Sequence, residues 1–242
     1  MIVRSAELAA RGFAHGFSTR EGGVSEGAFA SLNLARTVGD DLARVAENGR
    51  RFGDALGAPR LYEVSQVHGA AIVEVGAAPV EDVRRIEADA LIARRAGDAV
   101  AVRTADCVPI LLADTERGHV AAVHAGWRGV EQRIVELVVA RLGPPAALVA
   151  VIGPHIRRDA FEVSDEIAAR IAAVAHGAPV VLPRAPRPHV DLAAAVIAQL
   201  RHAGVARIDD VGGCTHAEAD RFFSHRRDGG HTGRHLSAIV AR

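Results

Sequence analysis

The chain has 242 residues, 49% hydrophobic and only 4% aromatic, so Ala, Val, Leu and Ile must fill the core of one large domain or two small ones. Its 29 basic residues, all arginine, balance 29 acidic ones, and a net charge of zero gives no overall attraction to nucleic acid or to an anionic membrane. Residues 1–10 lack an apolar signal core, no apolar run reaches the ~20 residues of a membrane span, and Cys107 and Cys214 alone make no disulfide framework, so a reducing cytoplasm is the expected home.

In chain order, the spacing of Leu42, Val45, Phe52 and Leu56 predicts a helix over 41–56 with Asp40 or Asp41 as N-cap. Short strands are expected over 61–64 and 71–75, flanking a Gln66-Val-His-Gly69 bend. Three apolar runs follow at 99–104, 108–113 and 120–125, and the turn at 114–118 makes the last two an antiparallel hairpin. A helix is read over 129–142, stopped by Gly143 and two prolines, and then a buried strand over 147–152. Helices over 164–174 and 190–202 are joined by the Pro-rich loop 182–189; strands at 206–211 and 236–241 close the chain, the last docked on a sheet. No repeat or linker interrupts the series. Strands exceed what strand–helix alternation supplies, which predicts a single-domain α/β (α+β) fold over 1–242, with mixed sheets and helices outside.

Three soft-metal donors sit at bends or strand ends: His68 in Gln66-Val-His-Gly69, Cys107 between two strands, and His124 where a strand gives way to a helix. Two imidazoles and a thiolate suit a three-ligand zinc shell with the fourth position open, as a catalytic site requires. Read from the residues alone, a buried thiol and two satisfied core histidines is the alternative.

The surrounding segments narrow this. Phe17-Ser-Thr-Arg-Glu-Gly-Gly-Val-Ser25, Ser31-Leu-Asn-Leu34, Gln66-Val-His-Gly69, Ala88-Asp-Ala-Leu91, Thr104-Ala-Asp-Cys107, His124-Ala-Gly-Trp-Arg-Gly129, Ile152-Gly-Pro154 and Phe223-Ser-His-Arg-Arg-Asp-Gly229, running into Thr232-Gly-Arg234, span nearly the whole chain. In this order they resemble the family labelled polyphenol oxidase or laccase-domain proteins, also described as purine nucleoside phosphorylases. The resemblance implies zinc ligation by His68, Cys107 and His124, a layered α/β/β/α fold, phosphorolysis of adenosine, inosine and related purine nucleosides, and adenosine deamination as a second activity. Purine nucleosides and phosphate are then the expected partners. The lack of a repeated apolar surface heptad predicts a monomer, and the unbroken alternation of apolar patterns predicts a zinc cleft at a sheet edge. Copper(II) can occupy the same donors in vitro, since its affinity for such ligands exceeds that of zinc. Two departures stand out: Gly230 and His231 lengthen the closing motif, and His225 stands where an aromatic residue is more usual.

Phosphorolysis must hold an anion against a sugar that gains positive charge, a task suited to the planar guanidinium fork. Arg20, Arg128 and Arg226, with Arg234 beside them, are the candidates, each alternatively a solvated surface charge; Asn33 and Gln66 are candidates for substrate contact or for local turn bonding. Asp106, adjacent to Cys107, is the candidate acid for proton transfer, or else a carboxylate that orients a histidine or holds its loop. Trp127 is a base-stacking residue or a core anchor. His216-Ala-Glu218 lacks the Pro-Cys-x-x-Cys that a cytidine-type deaminase needs. Competing readings are a cysteine hydrolase with Cys107 as nucleophile and His124 as base, a copper polyphenol oxidase, which is disfavoured because no two histidines lie two apart, and a non-enzymatic binding protein.

Overall fold

Strands whose central members are rich in small aliphatic residues build two stacked sheets. The computed structural model describes residues 2–242, and among them five strands form the first sheet. These are β1 (Ile2–Val3), β2 (His15–Ser18), β3 (Arg60–Tyr62), β6 (Asp98–Thr104) and β13 (His235–Val240), in the order β1-β2-β13-β6-β3. Every pairing is antiparallel except β3 with β6. The second sheet holds β4 (Ile72–Val75), β5 (Ala90–Ala93), β7 (Val108–Asp114), β8 (Val120–Ala125), β9 (Leu148–Ile152) and β12 (Arg207–Asp210), in the order β12-β9-β7-β8-β5-β4. It is parallel at its two edges and antiparallel between them.

Side-chain alternation along these strands creates the layers. On β7, Leu111 and Ala113 face Val100, Val102 and Ile239 of the first sheet, while Val108, Ile110 and Leu112 face the helices. The helices are α4 (Trp127–Glu131), α5 (Ile134–Leu142), α6 (Asp165–Ala173) and α7 (Leu192–His202). Across the molecule, α2 (Leu42–Leu56) places Phe52 and Leu56 on Ala99, Ala101, Leu236 and Ala238. The result is the expected α/β/β/α stack, and burial on both faces explains why the central strands read as continuous apolar runs. Two four-residue helices, α1 (Ala6–Ala9) and α3 (Val80–Val83), lie in connections, and no helix among the described residues is long and apolar enough to cross a membrane.

Several sequence expectations change. The helix over 129–142 is two helices, because Arg133 takes φ 57°, in the left-handed region, and redirects α5 so that Val130 and Ile134 both reach the same core. Residue 190 belongs not to a helix but to the hairpin β10 (Val181–Leu182) and β11 (His189–Val190), whose loop is the Pro-rich segment; α7 starts after its cap, Asp191. The C-terminal strand is central in its sheet, and β2 and β5 were not foreseen. Of the four apolar residues predicting α2, Val45, Phe52 and Leu56 are buried, but Leu42 is 63% exposed. Buried Asn48 completes the stripe, bonding Val24, Ser25 and Asn33.

Phe52→Ala should therefore cost about 3–5 kcal/mol in equilibrium denaturation, and Leu42→Ala on the same helix no more than about 0.5 kcal/mol. Equal losses would show that α2 is not held by this stripe.

Candidate metal centre and its cavity

The chain passes from one sheet to the other within three residues. β6 ends at Thr104 and β7 begins at Val108, so Ala105, Asp106 and Cys107 bridge the open end of the sandwich. Asp106 makes the step with φ 99°. His124 comes from β8, opposite Pro109 of β7, and His68 from the bend after β3, at φ 61°. The three ligand atoms lie within 4.8 Å of one another, and the two rings meet edge to face at 4.7 Å. Gly126 permits this approach: a Cβ there would stand 2.9 Å from His68 Cδ2 and 3.2 Å from Cys107 Sγ.

Asp89, fully buried, organises the group. Its carboxylate accepts the Nδ1–H of His124 at 2.7 Å and the backbone N–H groups of Val67, His68 and Gly69 at 3.3, 3.0 and 2.6 Å. The histidine tautomer is thereby fixed, with Nε2 left for a metal. Burial alone would raise the Asp89 carboxyl, but His124 and these amides hold it below the usual range. Burial would likewise push the Cys107 thiol up, yet His124, joined by His68, brings it down to about 6. The Cys107 sulfur and Asp89 overcome burial at His124 and raise it to about 9. The donors thus form an anion–cation pair that a divalent soft metal fits once His124 gives up its proton.

The trio opens on a cavity of about 510 Å³, also lined by Arg103, Arg226, Arg234, His225, Ile156 and Phe161. It lies at the ends of the central strands β7 and β8, not at a sheet edge as expected, because the crossing between sheets happens there. Gln66 lines it, but its amide is committed to both backbone groups of Arg103. Asn33 is buried and bonds Ala35, Asp40 and the N–H of Arg234, so it anchors the arginine strand rather than facing a ligand. Arg226 lines the cavity and donates to the Glu162 carbonyl.

Two expected arginines are not brought to it. Arg20 donates to the carbonyls of Ala30 and Ala219 and lies over Phe223, and Arg128 stacks on Trp127. Trp127 itself packs against the helical core. Asp106 bonds neither histidine; its carboxylate receives Thr215, Ser224 and the N–H of Arg226. His235 accepts the N–H of Phe223 and is driven to about 3 by burial, while His231 packs edge-on against Phe29. Asp89, Arg103, His225 and Phe161 were missed as site residues. Asp89, the single acid in the Ala88-Asp-Ala-Leu91 segment, and His225, inside the Phe223 to Gly229 segment, had left a signal; Arg103 and Phe161 had not.

Asp89→Asn should weaken zinc binding about 10–100-fold in a competition assay with a chromogenic chelator. Metal loading near neutral pH should release the His124 proton, more protons below pH 6 as the Cys107 thiol also carries one, and fewer above pH 9, as calorimetry in buffers of different ionisation enthalpy reads directly. Release independent of pH would contradict the thiolate–imidazolium pair.

Known proteins are similar to this chain over most of their length. A purine nucleoside phosphorylase from Deinococcus radiodurans is 42% identical over 231 residues, covering 93% of this chain and 88% of that protein. The crystal structure of YlmD from Geobacillus stearothermophilus superposes with a TM-score of 0.88 at 34% identity, covering 94% of this chain and 91% of that one. The hypothetical protein YfiH from Bacillus licheniformis gives 0.89 at 31% identity, covering 94% and 92%. The family described as multi-copper polyphenol oxidoreductase laccase matches residues 14–242, and the chain belongs to it.

Proposed function

We propose that this protein is a zinc-dependent purine nucleoside phosphorylase acting on adenosine, inosine and related nucleosides, with adenosine deamination as a second activity. The observation that carries the reading is a single cavity of about 510 Å³ bounded by both a His–Cys–His donor set and the guanidinium groups of Arg226 and Arg234. A 42%-identical relative named purine nucleoside phosphorylase supports it. The volume suits a small organic substrate with an anion beside it.

His68, Cys107 and His124 would hold the zinc, which when bound supplies a Lewis acid and an acidified water for the hydrolytic reaction. Everything else falls to the chain. In phosphorolysis a phosphate oxygen bonds to C1′ while the C1′–N bond breaks, its electron pair leaving with the purine, which then takes a proton. Arg234 spends Nη1–H on the carbonyls of Thr232 and Gly233, which fixes the plane of its fork and leaves other N–H groups for phosphate oxygens. Its Nη2 stands 3.4 Å from His225 Nδ1. With Nδ1 accepting from Arg234, the neutral ring keeps its proton on Nε2, and we assign His225 to donate a hydrogen bond to the departing purine, which takes its proton from solvent. Ile156 and Phe161 supply apolar lining for the base.

The copper-oxidase reading is weaker on the chemistry of the donors. Among the described residues one three-ligand group exists, enough for one ion and not for a multi-copper cluster. The thiolate–imidazolium pair is what a cysteine hydrolase would use, and metal occupancy separates the two readings, because a bound ion consumes the nucleophile.

Metal-quantified protein should release free purine from inosine or adenosine only when phosphate is present, and stripping the metal should abolish turnover. Activity that rises on stripping would favour the thiol hydrolase. Arg234→Ala should slow phosphorolysis about 10–100-fold and deamination much less, whereas Arg20→Ala and Arg128→Ala should leave the ratio of the two activities unchanged. Equal loss of both activities in Arg234→Ala would mean that phosphate binds elsewhere.

A further inference from the structure

We propose that Asp106 is a positioning residue that clasps the C-terminal loop onto the metal-bearing turn and so sets the floor and rim of the substrate cavity. The inference rests on the phosphorylase reading for the identity of the substrate, but its geometry stands apart from it. Three donors from a segment more than a hundred residues away converge on this carboxylate. Thr215 Oγ1 donates to Oδ1 at 2.6 Å, Ser224 Oγ to the same oxygen at 2.7 Å, and the Arg226 N–H to Oδ2 at 2.7 Å. The Asp106 carbonyl accepts the N–H of Ile156 at 3.0 Å. Ser224 Oγ in turn receives the N–H of Arg227 at 3.2 Å. One residue thereby ties together the sheet-crossing turn, the apolar lining at Ile156, and the loop bearing His225 and Arg226.

The backbone is shaped for this task. Asp106 is 8% exposed and holds φ 99°, a conformation that Asp and Asn adopt more readily than other side chains but that is retained only where the surroundings fix it. The strained step turns the carboxylate toward the loop while its neighbour Cys107 faces His68 and His124. Buried carboxylate oxygens bonded to hydroxyls and an amide have little left to offer a substrate proton, so Asp106 acts through the groups it holds rather than in the proton transfers.

Asp106→Asn is the matched test, because Asn keeps the size and tolerates the backbone. Its carbonyl oxygen can retain both hydroxyl donors, but its NH2 then meets the N–H of Arg226, donor against donor. In the zinc-loaded enzyme, hydrogen exchange of amides 224–230 should quicken by at least about tenfold. KM for inosine should rise about tenfold while kcat changes less than about threefold and its pH profile keeps its shape. Zinc affinity, and the absorption spectrum of a cobalt-substituted centre, should be unchanged. Ser224→Ala, which removes one donor from the loop side, should shift exchange and KM in the same direction by less, and serves if the Asn variant does not fold. Weakened metal binding with unaltered loop exchange would overturn the proposal, placing Asp106 in service of the metal. A fall in kcat alone, with one limb of the pH profile lost, would overturn it in favour of proton transfer. Should the wild-type enzyme fail to cleave inosine with phosphate, the phosphorylase reading falls; faster loop exchange in Asp106→Asn would still support the clasp, and unchanged exchange would refute it.

Discussion

The fold turns on the crossing at residues 105–107, where the chain leaves one apolar sheet and enters the other. Both sheets are buried on their facing sides, and neither can admit a charged group between them without a partner. Polar chemistry is therefore pushed to the open end of the sandwich, where strands stop and backbone groups need new partners. The same crossing brings a thiol from one connection, an imidazole from the end of β8 and another from the bend after β3 to a common point. Two residues there, His68 and Asp106, occupy the left-handed region of backbone space, a concentration of strain that buried hydrogen bonds must hold in place.

Two buried carboxylates do that holding, and they divide the labour. Asp89 receives the amides of the His68 bend and the His124 ring, so it fixes donors toward the metal side. Asp106 receives Thr215, Ser224 and Arg226, so it fixes the loop side. Each carboxylate is stabilised by several donors at once, which offsets the desolvation that a lone buried anion would suffer. Arginine serves the same economy. A guanidinium can give some N–H groups to backbone carbonyls and retain others for a ligand, as Arg234 does with Thr232 and Gly233, whereas a lysine ammonium on its flexible stem would lack that fixed fork.

What could be read in advance follows from these constraints. Strands β6, β7, β8 and β9 were visible because burial on both faces demands unbroken aliphatic runs, and α2 because its stripe repeats with helical period. His68, Cys107 and His124 stood out as donors interrupting apolar sequence at strand ends. β2, with the sequence His-Gly-Phe-Ser, and the four-residue β5 carry too little pattern to be recognised alone. The break at Arg133 was hidden because α4 and α5 together keep an apolar rhythm; only the left-handed residue between them, for which arginine gives no hint, separates the axes. In a chain whose 29 basic residues are all arginine, composition cannot tell a guanidinium that lines the cavity from one spent on carbonyls. Arg20 sits in a glycine-rich loop, as a phosphate ligand would, yet its partners are Ala30 and Ala219.

The Gly230-His231 segment, expected to lengthen the closing motif, folds back on its own loop. Gly230 takes φ 90° and donates its N–H to the carbonyl of His225, closing a turn. A Cβ at Gly230 would stand 3.1 Å from the His225 ring, so the turn packs directly against that imidazole, and His231 leaves the cavity to lie edge-on to Phe29. The ring of His225 is thus confined by the turn behind it and faced by Arg234 at 3.4 Å, while its neighbour Arg226 is held by the Asp106 clasp. An imidazole at this position keeps a planar wall and adds an Nε2–H that can donate a hydrogen bond. On the proposed reading, His225 alone among these residues meets the purine as it leaves, and Gly230 backs it.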